Sequence, residues 1–365
     1  MKRRVVIAGG GTGGHFYPAL ALSQALRARG HEVTALVRRE DPACRLLDRE
    51  GLPYVEIDLI GLPRALSPRL LTFAWKLAAS LPALRHVLKD FAPDAVVAMG
   101  GYLGFPLVLA AALRGIPRYV HESNVLLGLA NRASAALGAT LLLGWPLPEK
   151  PGSELTGTPV RPALLVRKAA EECRRALALD PDKRTLLVFG GSQGARAINE
   201  AVPEALRSLS REEVKSLQVL HLAGRGRSGA LQAAYDQIGI RACARDYLDD
   251  MELGYGAADL VVCRAGASTL NELVAQEKPA VLVPYPHAAA DHQMANARFL
   301  ETRGAVRVAA EGPDFIVRLS AAIKDLLFSN SGALLHDMRR HFKEDDLPSP
   351  ALAASRMAAA ILRAS

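Results

Sequence analysis

Short apolar runs alternate along the chain with longer stretches in which apolar residues recur every three or four positions. The short runs are typical of buried strands, and the longer stretches are typical of helices. The strand-like runs lie at residues 5–8, 31–37, 95–99, 118–121, 140–144, 185–189, 219–222, 260–263, 280–284 and 305–309. A first helix is predicted over residues 18–29, closed by Gly30. This alternation predicts parallel sheets with helices on both faces, and thus an α/β fold.

Two glycine-rich turns follow strand-like runs at equivalent places in the two halves of the chain. The first is GGGTGGH at residues 9–15, and the second is GGSQGAR at residues 190–196. Glycine lets the backbone approach a ligand closely, and the first free N–H groups of the following helix point towards that ligand. Each turn therefore predicts an anion site, and the pair predicts a two-domain enzyme that handles phosphorylated substrates.

The stretch over residues 145–162 is rich in proline and glycine and is predicted to be a linker or hinge. We expect an N-terminal domain over residues 1–160 and a C-terminal domain over residues 161–345, because 365 residues fit two domains of moderate size. Residues 346–365 form a C-terminal segment. Within it, residues 351–363 are predicted to form an alanine-rich helix that packs back on the N-terminal domain.

A helical stripe of apolar residues between positions 66 and 89 is surrounded by basic side chains. The stripe is formed by Leu66, Leu70, Phe73, Leu77, Leu81 and Leu84, and the basic residues are Arg64, Arg69, Lys76, Arg85 and Lys89. Such a helix could dock on an anionic membrane surface, or it could be a core helix with a solvated basic face. Pro82 is predicted to break or kink it.

The formal net charge of +8 favours anionic partners such as phosphates or acidic lipids. No long Lys/Arg run occurs and aromatic residues do not interleave with basic ones, so nucleic acid is not an expected partner. The four cysteines are scattered without a C-x-x-C pair, which argues against structural zinc or a disulfide framework. The longest apolar stretch, residues 103–113, is too short to span a bilayer. We therefore expect a protein that is soluble or rests on a membrane surface.

The first glycine turn also matches a dinucleotide-binding fingerprint through Gly9, Gly11 and Gly14. That fingerprint expects an acidic residue at the end of the next strand, where this chain has Arg38 and Arg39. Arginines there could bind the 2′-phosphate of NADP, so an NADP-dependent oxidoreductase stays open as an alternative. The polar side chains within the turn and the existence of a second glycine turn count against it.

A third motif, CRAGASTLNE at residues 263–272, reads as a strand end, a glycine turn and a helix. Ser268 and Thr269 are predicted at the N-cap and in the first turn, where they could bind a phosphate. Glu272 follows one turn later, and its carboxylate could accept both hydroxyls of a ribose. The same spacing also fits a capping box, in which the carboxylate reaches back to the helix start.

Further segments around these turns resemble the MurG family of N-acetylglucosaminyltransferases, which convert lipid I to lipid II in peptidoglycan synthesis. The matching segments are GGGTGGHFYPALALS at residues 9–23, MGGYLGFP at 99–106, HESN at 121–124, GTPVR at 157–161, GGSQGARAIN at 190–199, YLDDM at 247–251, CRAGASTLNE at 263–272 and DHQMANA at 291–297. They follow the family's order and span nearly the whole chain.

The resemblance implies a GT-B fold, in which two Rossmann-like domains with parallel sheets face each other across a cleft. It implies that UDP-GlcNAc is held by Thr12, Gly13, Gly14, Asn124, Arg161, Ser192, Leu248, Ala267, Ser268, Thr269, Leu270, Asn271, Glu272, His292 and Gln293. The acceptor's diphosphate would be bound by Gly14, Gly100, Gly101 and Tyr102.

Individual roles follow from the family's motifs. Ser192 and Arg161 would contact the donor diphosphate, and the backbone of Leu248 would hold the uracil. Gln293 would contact the GlcNAc hydroxyls, and His292 is a candidate to share that task. Thr12, Gly13, Gly14 and Asn124 would line the sugar side of the cleft.

The resemblance implies an inverting transfer of GlcNAc from UDP-GlcNAc to the 4-hydroxyl of MurNAc in undecaprenyl-pyrophosphoryl-MurNAc-pentapeptide (lipid I), which gives lipid II. His15 is the candidate general base because it lies at the first glycine turn and imidazole titrates near neutrality, although it could instead orient the substrate. Glu122 and Asn124 are second candidates, Asn124 for positioning only. The N-terminal domain would face the acceptor at the cytoplasmic face of the cell membrane as a peripheral protein, with other cell-wall synthesis proteins as candidate partners.

The chain departs from the family pattern at Ser123, at Leu222 and over residues 288–290, which bears on fine contacts and leaves the central motifs intact. Asp180 and Asp182 mimic a metal-binding D-x-D motif, but the proline between them favours a turn. We expect neither a protein-held metal nor a cofactor. A catalytically inactive GT-B binding module and a transferase for another nucleotide sugar or lipid acceptor remain alternatives.

Overall fold

The computed structural model describes residues 1–10, 13–58, 69–147, 152–191, 193–343 and 347–363. The chain divides into two compact units. The first unit combines Met1–Arg161 with Pro348–Ser365, and the second unit is Pro162–Leu347. None of the helices within the described ranges is long and apolar enough to cross a membrane.

The first unit is a parallel sheet covered by helices. Its strands are β1 (Arg4–Ala8), β2 (Glu32–Arg38), β3 (Tyr54–Ile57), β4 (Ala95–Ala98), β5 (Arg118–Glu122), β6 (Thr140–Leu143) and β7 (Ser153–Leu155). Its first five helices are α1 (Gly13–Ala28), α2 (Cys44–Arg49), α3 (Arg69–Asp90), α4 (Gly101–Ala112) and α5 (Leu129–Ala136). Neighbouring strands pair in parallel in the order β3-β2-β1-β4-β5-β6-β7.

Strand β1 lies in the middle of this sheet, which explains its continuous apolar sequence. Ile7 lies opposite Ala35 of β2 and Val97 of β4, and it packs in the same hydrophobic cluster as Leu22 of α1. Val6 points to the opposite face, into the cluster that contains residues of α3 and α4. Because both faces are covered by helices, inward and outward positions of a central strand are equally apolar.

The second unit repeats the plan. Its strands are β8 (Arg184–Phe189), β9 (Leu217–Leu222), β10 (Arg241–Arg245), β11 (Leu260–Cys263), β12 (Ala280–Leu282) and β13 (Val306–Val308). Its α-helices are α6 (Ala170–Ala176), α7 (Arg196–Leu206), α8 (Arg211–Ser216), α9 (Ser228–Gln237), α10 (Met251–Ala257), α11 (Ala267–Gln276), α12 (His292–Glu301), α13 (Phe315–Phe328) and α14 (Ala333–His341). The strands pair in parallel in the order β10-β9-β8-β11-β12-β13. Helix α15 (Pro350–Arg363) returns to the first unit, where Met357 and Ile361 join the cluster of α1.

The sequence pattern missed three strands, namely β3, β7 and β10, and all three lie at the edges of their sheets. An edge strand is covered less completely than a central one, and most residues of these three strands are half-buried or exposed. Their sequences accordingly lack a continuous apolar run, which is the signal that identified the central strands.

Two helix predictions need correction. Helix α1 begins at Gly13, five residues before the predicted start, and contains Pro18. Helix α3 runs unbroken from Arg69 to Asp90 through Pro82, so the predicted break is wrong. The tertiary packing of its C-terminal half, where Leu84 and Leu88 are buried in the core, offsets the local cost of the proline. The part of the stripe at Leu66 lies outside the described residues.

Both sheets reverse their strand order at one place, between β1 and β4 in the first unit and between β8 and β11 in the second. In open α/β sheets, ligands bind outside the carboxyl ends of the strands at such a switch point. The glycine turns that follow these four strands therefore lie where a ligand is expected in each unit.

Candidate functional site

The first unit contains a cavity of about 460 Å³ at its switch point. His15 in the first turn of α1 contributes to its lining, together with Gly100 and Gly101 after β4 and Glu122 and Asn124 after β5. Gly100 and Gly101 have φ values of +89° and +73°, and an added Cβ atom would lie 3.1 and 3.2 Å from the His15 ring. The turn formed by Gly100 and Gly101 thus lets the imidazole pack directly against the backbone.

The His15 ring is held in one tautomer. Its Nδ1 lies 2.9 Å from the carbonyl oxygen of Met99. A carbonyl oxygen only accepts hydrogen bonds, so Nδ1 carries the proton and Nε2 of the neutral ring keeps its lone pair. Burial lowers the pKa of His15 below 6.5, while the bond to Met99 and the charge of Glu122 oppose that shift. At neutral pH the ring is therefore mainly neutral and can accept a proton at Nε2.

Glu122 is a buried carboxylate that organises the loop beside His15. Its Oε1 accepts hydrogen bonds from the backbone and side-chain amides of Asn124, both at 3.0 Å. Its Oε2 accepts hydrogen bonds from the amide of Gly128 and the side chain of Asn131, both at 2.8 Å. Within the ranges that the structure describes, no Lys or Arg nitrogen lies within 4.0 Å of this carboxylate. The charge of Glu122 favours the protonated form of the His15 ring and so opposes the effect of burial on the pKa of His15.

Other first-unit candidates lie at the start of α1 or outside the described residues. Gly13 and Gly14 begin helix α1. Thr12 lies outside the described residues, as does the side chain of Tyr102. Ser123, one of the departures from the family pattern, is buried, and its carbonyl oxygen accepts a hydrogen bond from the Trp145 indole at 2.9 Å. The Asn131 contribution could not be read from the sequence, because it depends on the packing of α5 against β5.

Arg161, predicted to reach the diphosphate, lies at the end of the first unit. Its guanidinium carbon is 4.6 Å from the ring centroid of Tyr17 on α1. Such stacking fixes the direction of a guanidinium group. A contact between Arg161 and the donor remains a prediction.

The second unit contains a larger cavity of about 880 Å³ at its own switch point. One wall is the glycine turn after β8, including Gly190, Gly191 and Gly194, and another is the start of α11. An added Cβ atom on Gly190 would lie 2.2 Å from the Cβ of Ala195, so no side chain fits there. Ser192 of the same turn lies outside the described residues.

Ser268 and Thr269 line this cavity from the first turn of α11. The N-cap is Gly266 and makes no side-chain capping bond, so the predicted N-cap position of Ser268 is wrong, and so is the capping-box alternative. Glu272 instead accepts a hydrogen bond from the Tyr255 hydroxyl at 2.8 Å. Two hydroxyl side chains and free helix N–H groups are thus left facing the cavity, as an anion site requires.

Leu270 and Asn271, which were predicted to contact the donor, both have buried side chains. Leu270 is fully buried and Asn271 is 1% exposed. The Asn271 side chain donates to the carbonyl oxygen of Ala267 at 2.8 Å. A contact between either residue and the donor stays a prediction. Leu248 is also buried, so only its backbone is available for the predicted uracil contact.

Another part of the cavity lining comes from the loop before α12 and from the first turn of that helix. Gln293 lines the cavity and accepts a hydrogen bond from the Tyr285 amide at 2.9 Å. His292 donates through Nδ1 to the Ala289 carbonyl oxygen at 2.7 Å. Asp291, the N-cap of α12, has a φ of +53°, a left-handed conformation that is uncommon outside glycine. Strain of this kind concentrates at ligand sites.

Arg264 organises the floor of this cavity, a role that the sequence did not reveal. Its guanidinium pairs with Glu311 and donates to the carbonyl oxygens of Val283 at 3.1 Å and Pro284 at 3.3 Å. It also lies 5.4 Å from the ring centroid of Tyr285. Glu311 lies 47 residues further along the chain, so no local sequence motif indicates that Arg264 and Glu311 form a pair.

Among the described residues, no group of three or more His, Cys, Asp or Glu side chains is placed to hold a metal ion. Asp180 and Asp182 lie in a turn in which the Asp182 amide donates to the Asp180 carboxylate at 3.1 Å. This confirms the prediction that the D-x-D sequence is a turn. Leu222, another departure from the family pattern, is buried in β9.

Two family models match the chain, one in each unit. The glycosyltransferase family 28 N-terminal domain matches residues 5–140, and the glycosyltransferase family 28 C-terminal domain matches residues 185–347. Together with the two doubly wound parallel sheets, these matches confirm the predicted fold class of two Rossmann-like domains.

Curated relatives and a solved structure agree with these matches. The UDP-N-acetylglucosamine–N-acetylmuramyl-(pentapeptide) pyrophosphoryl-undecaprenol N-acetylglucosamine transferase of Elusimicrobium minutum is 36% identical over 98% of each chain. The protein of the same name from Bordetella parapertussis is 42% identical over 81% of each chain. The crystal structure of Acinetobacter baumannii MurG superposes with a TM-score of 0.78 at 28% identity and covers 99% of both chains. The chain therefore belongs to glycosyltransferase family 28, and its predicted resemblance to the MurG enzymes is confirmed.

Proposed function

We propose that the chain transfers GlcNAc from UDP-GlcNAc to the 4-hydroxyl of MurNAc in lipid I, with inversion at the anomeric carbon, to give lipid II. The chain is a UDP-GlcNAc-dependent glycosyltransferase by family, and its curated relatives carry the name of this reaction. The observation that supports acceptor binding in the first unit is the state of His15. This residue lines the cavity of the first unit, and the Nε2 of its ring is unprotonated. A hydroxyl nucleophile needs such a group to take its proton.

The second unit is proposed to hold the donor. Its cavity offers helix N–H groups at α7 and α11 and the hydroxyls of Ser268 and Thr269. Donors fixed in advance at helix N-termini stabilise the negative charge that grows on a departing nucleoside diphosphate. Ser192 and Arg161 would share this task, Leu248 would hold the uracil, Glu272 the ribose, and His292 and Gln293 the sugar. Calorimetric titration tests this assignment: UDP-GlcNAc should bind and NADPH should not, whereas tighter NADPH binding would overturn it.

The Thr269 hydroxyl provides a local test of the donor site. Replacing Thr269 by valine keeps the side-chain shape and removes the hydroxyl. Loss of a hydrogen bond to a charged phosphate should raise the KM for UDP-GlcNAc about 10-fold or more and leave the KM for the acceptor unchanged. The control is Thr302→Val at the exposed end of α12, where the hydroxyl donates to the Phe299 carbonyl oxygen at 3.1 Å. Equal KM values for UDP-GlcNAc in wild type and Thr269→Val would show that the Thr269 hydroxyl does not contact the donor.

The first unit is proposed to bind the acceptor, with Gly14, Gly100, Gly101 and Tyr102 at its diphosphate. Helix α4 begins at Gly101 and presents its N-terminus to the same cavity as His15. A pyrophosphate placed there would be stabilised by hydrogen bonds from the free N–H groups of the helix. Thr12, Gly13 and Asn124 would then lie on the side of the transferred sugar.

We propose that the first unit also docks on the cytoplasmic face of the membrane as a peripheral protein. Trp75 on α3 is 68% exposed, and Arg85 and Lys89 on the same helix are exposed as well. An exposed indole and exposed cations on one helix suit the interface of an anionic bilayer.

Replacing Trp75 by glutamate should reduce binding to vesicles that contain anionic lipid by about tenfold, because it removes an indole that would insert into the bilayer interface and adds charge repulsion. Sedimentation with vesicles measures this effect. Val317→Glu is the control, since Val317 is 66% exposed on α13 of the second unit. If Trp75→Glu sediments with vesicles as well as wild type does, α3 is not the docking surface.

A further inference from the structure

The turn between β9 and α9, residues 223–227, packs backbone against backbone on the glycine turn of the donor cavity. The Asn199 side chain on α7 donates to the Ala223 carbonyl oxygen at 2.8 Å. An added Cβ atom on Gly194 would lie 2.3 Å from that oxygen, and one on Gly224 would lie 2.7 Å from the carbonyl oxygen of Gln193. Because no side chain separates the two turns, a shift in one is transmitted to the other.

Asp246, directly after β10, holds this turn. Its carboxylate accepts hydrogen bonds from the backbone amides of Gly226 at 2.7 Å, Arg227 at 3.2 Å and Ser228 at 3.1 Å. Bonds from Gly226 and from the side chain and backbone of Ser228 lower the pKa of Asp246 to about 2. The Asp246 carboxylate is thus ionised at every physiological pH, and its hydrogen bonds fix the backbone at Arg227.

The charges that line the donor cavity leave one guanidinium uncompensated. Arg196 pairs with Glu200 at 2.7 Å and Arg264 pairs with Glu311, and all four residues line the cavity. Arg227 also lines the cavity, but no carboxylate of the described residues lies within 4.0 Å of its guanidinium. Its Nη1 donates a long hydrogen bond, 3.4 Å, to the Gln193 carbonyl oxygen of the glycine turn.

We propose that Arg227 binds the diphosphate of the nucleotide-sugar donor and that Asp246 is the positioning residue that holds Arg227 for this contact. The inference rests on the proposed placement of the donor in the second unit. A diphosphate brings negative charges to a cavity whose other guanidiniums are already paired, and an unpaired guanidinium is a strong and geometrically suited partner for phosphate oxygens. The two residues lie 19 positions apart and share no motif, so only the fold connects them.

The primary test is calorimetric titration of UDP and of uridine into wild type, Arg227→Ala, Arg227→Lys and Arg225→Ala. We expect Arg227→Ala to weaken UDP binding about 10- to 100-fold and to leave uridine binding unchanged, because the contact is to phosphate. Arg227→Lys should recover part of the affinity. Arg225→Ala is the matched control, since Arg225 is an exposed arginine of the same turn that does not line the cavity. If Arg227→Ala and Arg225→Ala lost UDP affinity equally, the effect would reflect the overall positive charge of the turn and not a specific contact. That result would overturn the proposal.

The positioning role of Asp246 is tested by a double-mutant cycle. Asp246→Ala should weaken UDP binding clearly less in Arg227→Ala than in wild type, because the part of its action that passes through Arg227 is then already lost. Additive losses, in proteins that unfold at similar temperatures, would mean that Asp246 has only a structural role. If wild type binds no UDP, the proposed function itself fails. If wild type binds UDP and Arg227→Ala binds it equally well, only this inference fails.

Discussion

Replacing His15 by alanine is expected to lower kcat for GlcNAc transfer by about 10²- to 10⁴-fold, the range that a general base contributes. The protonated Nδ1 of His15 donates a hydrogen bond to the Met99 carbonyl oxygen, with 2.9 Å between the nitrogen and the oxygen. Nε2 is therefore the nitrogen that can take the proton of the acceptor hydroxyl. The Kd for UDP-GlcNAc should stay unchanged, because the donor is assigned to the second unit. Single-turnover transfer and donor titration on the same preparation separate these two quantities.

His15→Gln separates the base from a positioning residue. Glutamine can hydrogen-bond to a substrate but cannot accept a proton at neutral pH, so this variant should be as inactive as His15→Ala. In wild type, kcat/KM should fall as the pH drops through the pKa of His15, because the protonated ring cannot act as a base. Burial lowers this pKa, which places the midpoint below 6.5. Near-normal turnover of His15→Gln would assign the ring to orienting the substrate.

Replacing Gly194 by alanine is expected to destabilise the second unit by about 2–5 kcal/mol, from left-handed backbone strain together with overpacking. Gly194 has a φ of +72°, and its Cβ atom would lie 2.3 Å from the Ala223 carbonyl oxygen. Relief of that contact must displace one of the two turns beside the donor cavity. We therefore also expect a large rise in the Kd for UDP-GlcNAc. Thermal unfolding and donor titration measure the two effects.

The control for this substitution is Gly229→Ala in the first turn of α9. An added Cβ atom there meets nothing within 4 Å, and alanine is the better helix former. This variant should be neutral or slightly stabilising and should bind the donor normally. A Gly194→Ala protein with the stability and donor affinity of wild type would contradict the close backbone packing described for the two turns.

The fold class and the positions of the glycine turns could be predicted from the sequence for a physical reason. Central strands of a parallel sheet are buried on both faces and form unbroken apolar runs, and glycine turns mark where their carboxyl ends meet a helix. Both glycine turns named from the sequence follow strands at a switch point. The same first turn also matched a dinucleotide fingerprint, and the family matches show that the NADP-dependent alternative is wrong.

What the sequence did not predict depends on contacts between distant residues. The edge strand β10 carries no apolar run, yet it leads to Asp246, which holds the turn before α9. Arg264 and Glu311 pair across the second unit without any shared motif. Leu270 and Asn271 belong to a matching segment but face the interior. A motif fixes which segment lies at the site, whereas the helical period decides which of its side chains face the ligand.

The central claim is tested most directly by incubating the protein with UDP-GlcNAc labelled in the sugar and a lipid I analogue. We predict label in a disaccharide-lipid product with a β-1,4 bond, formed with release of UDP. Binding of UDP-GlcNAc without transfer would indicate an inactive binding module. An α-linked product, or transfer only to a different acceptor, would also contradict the proposed reaction.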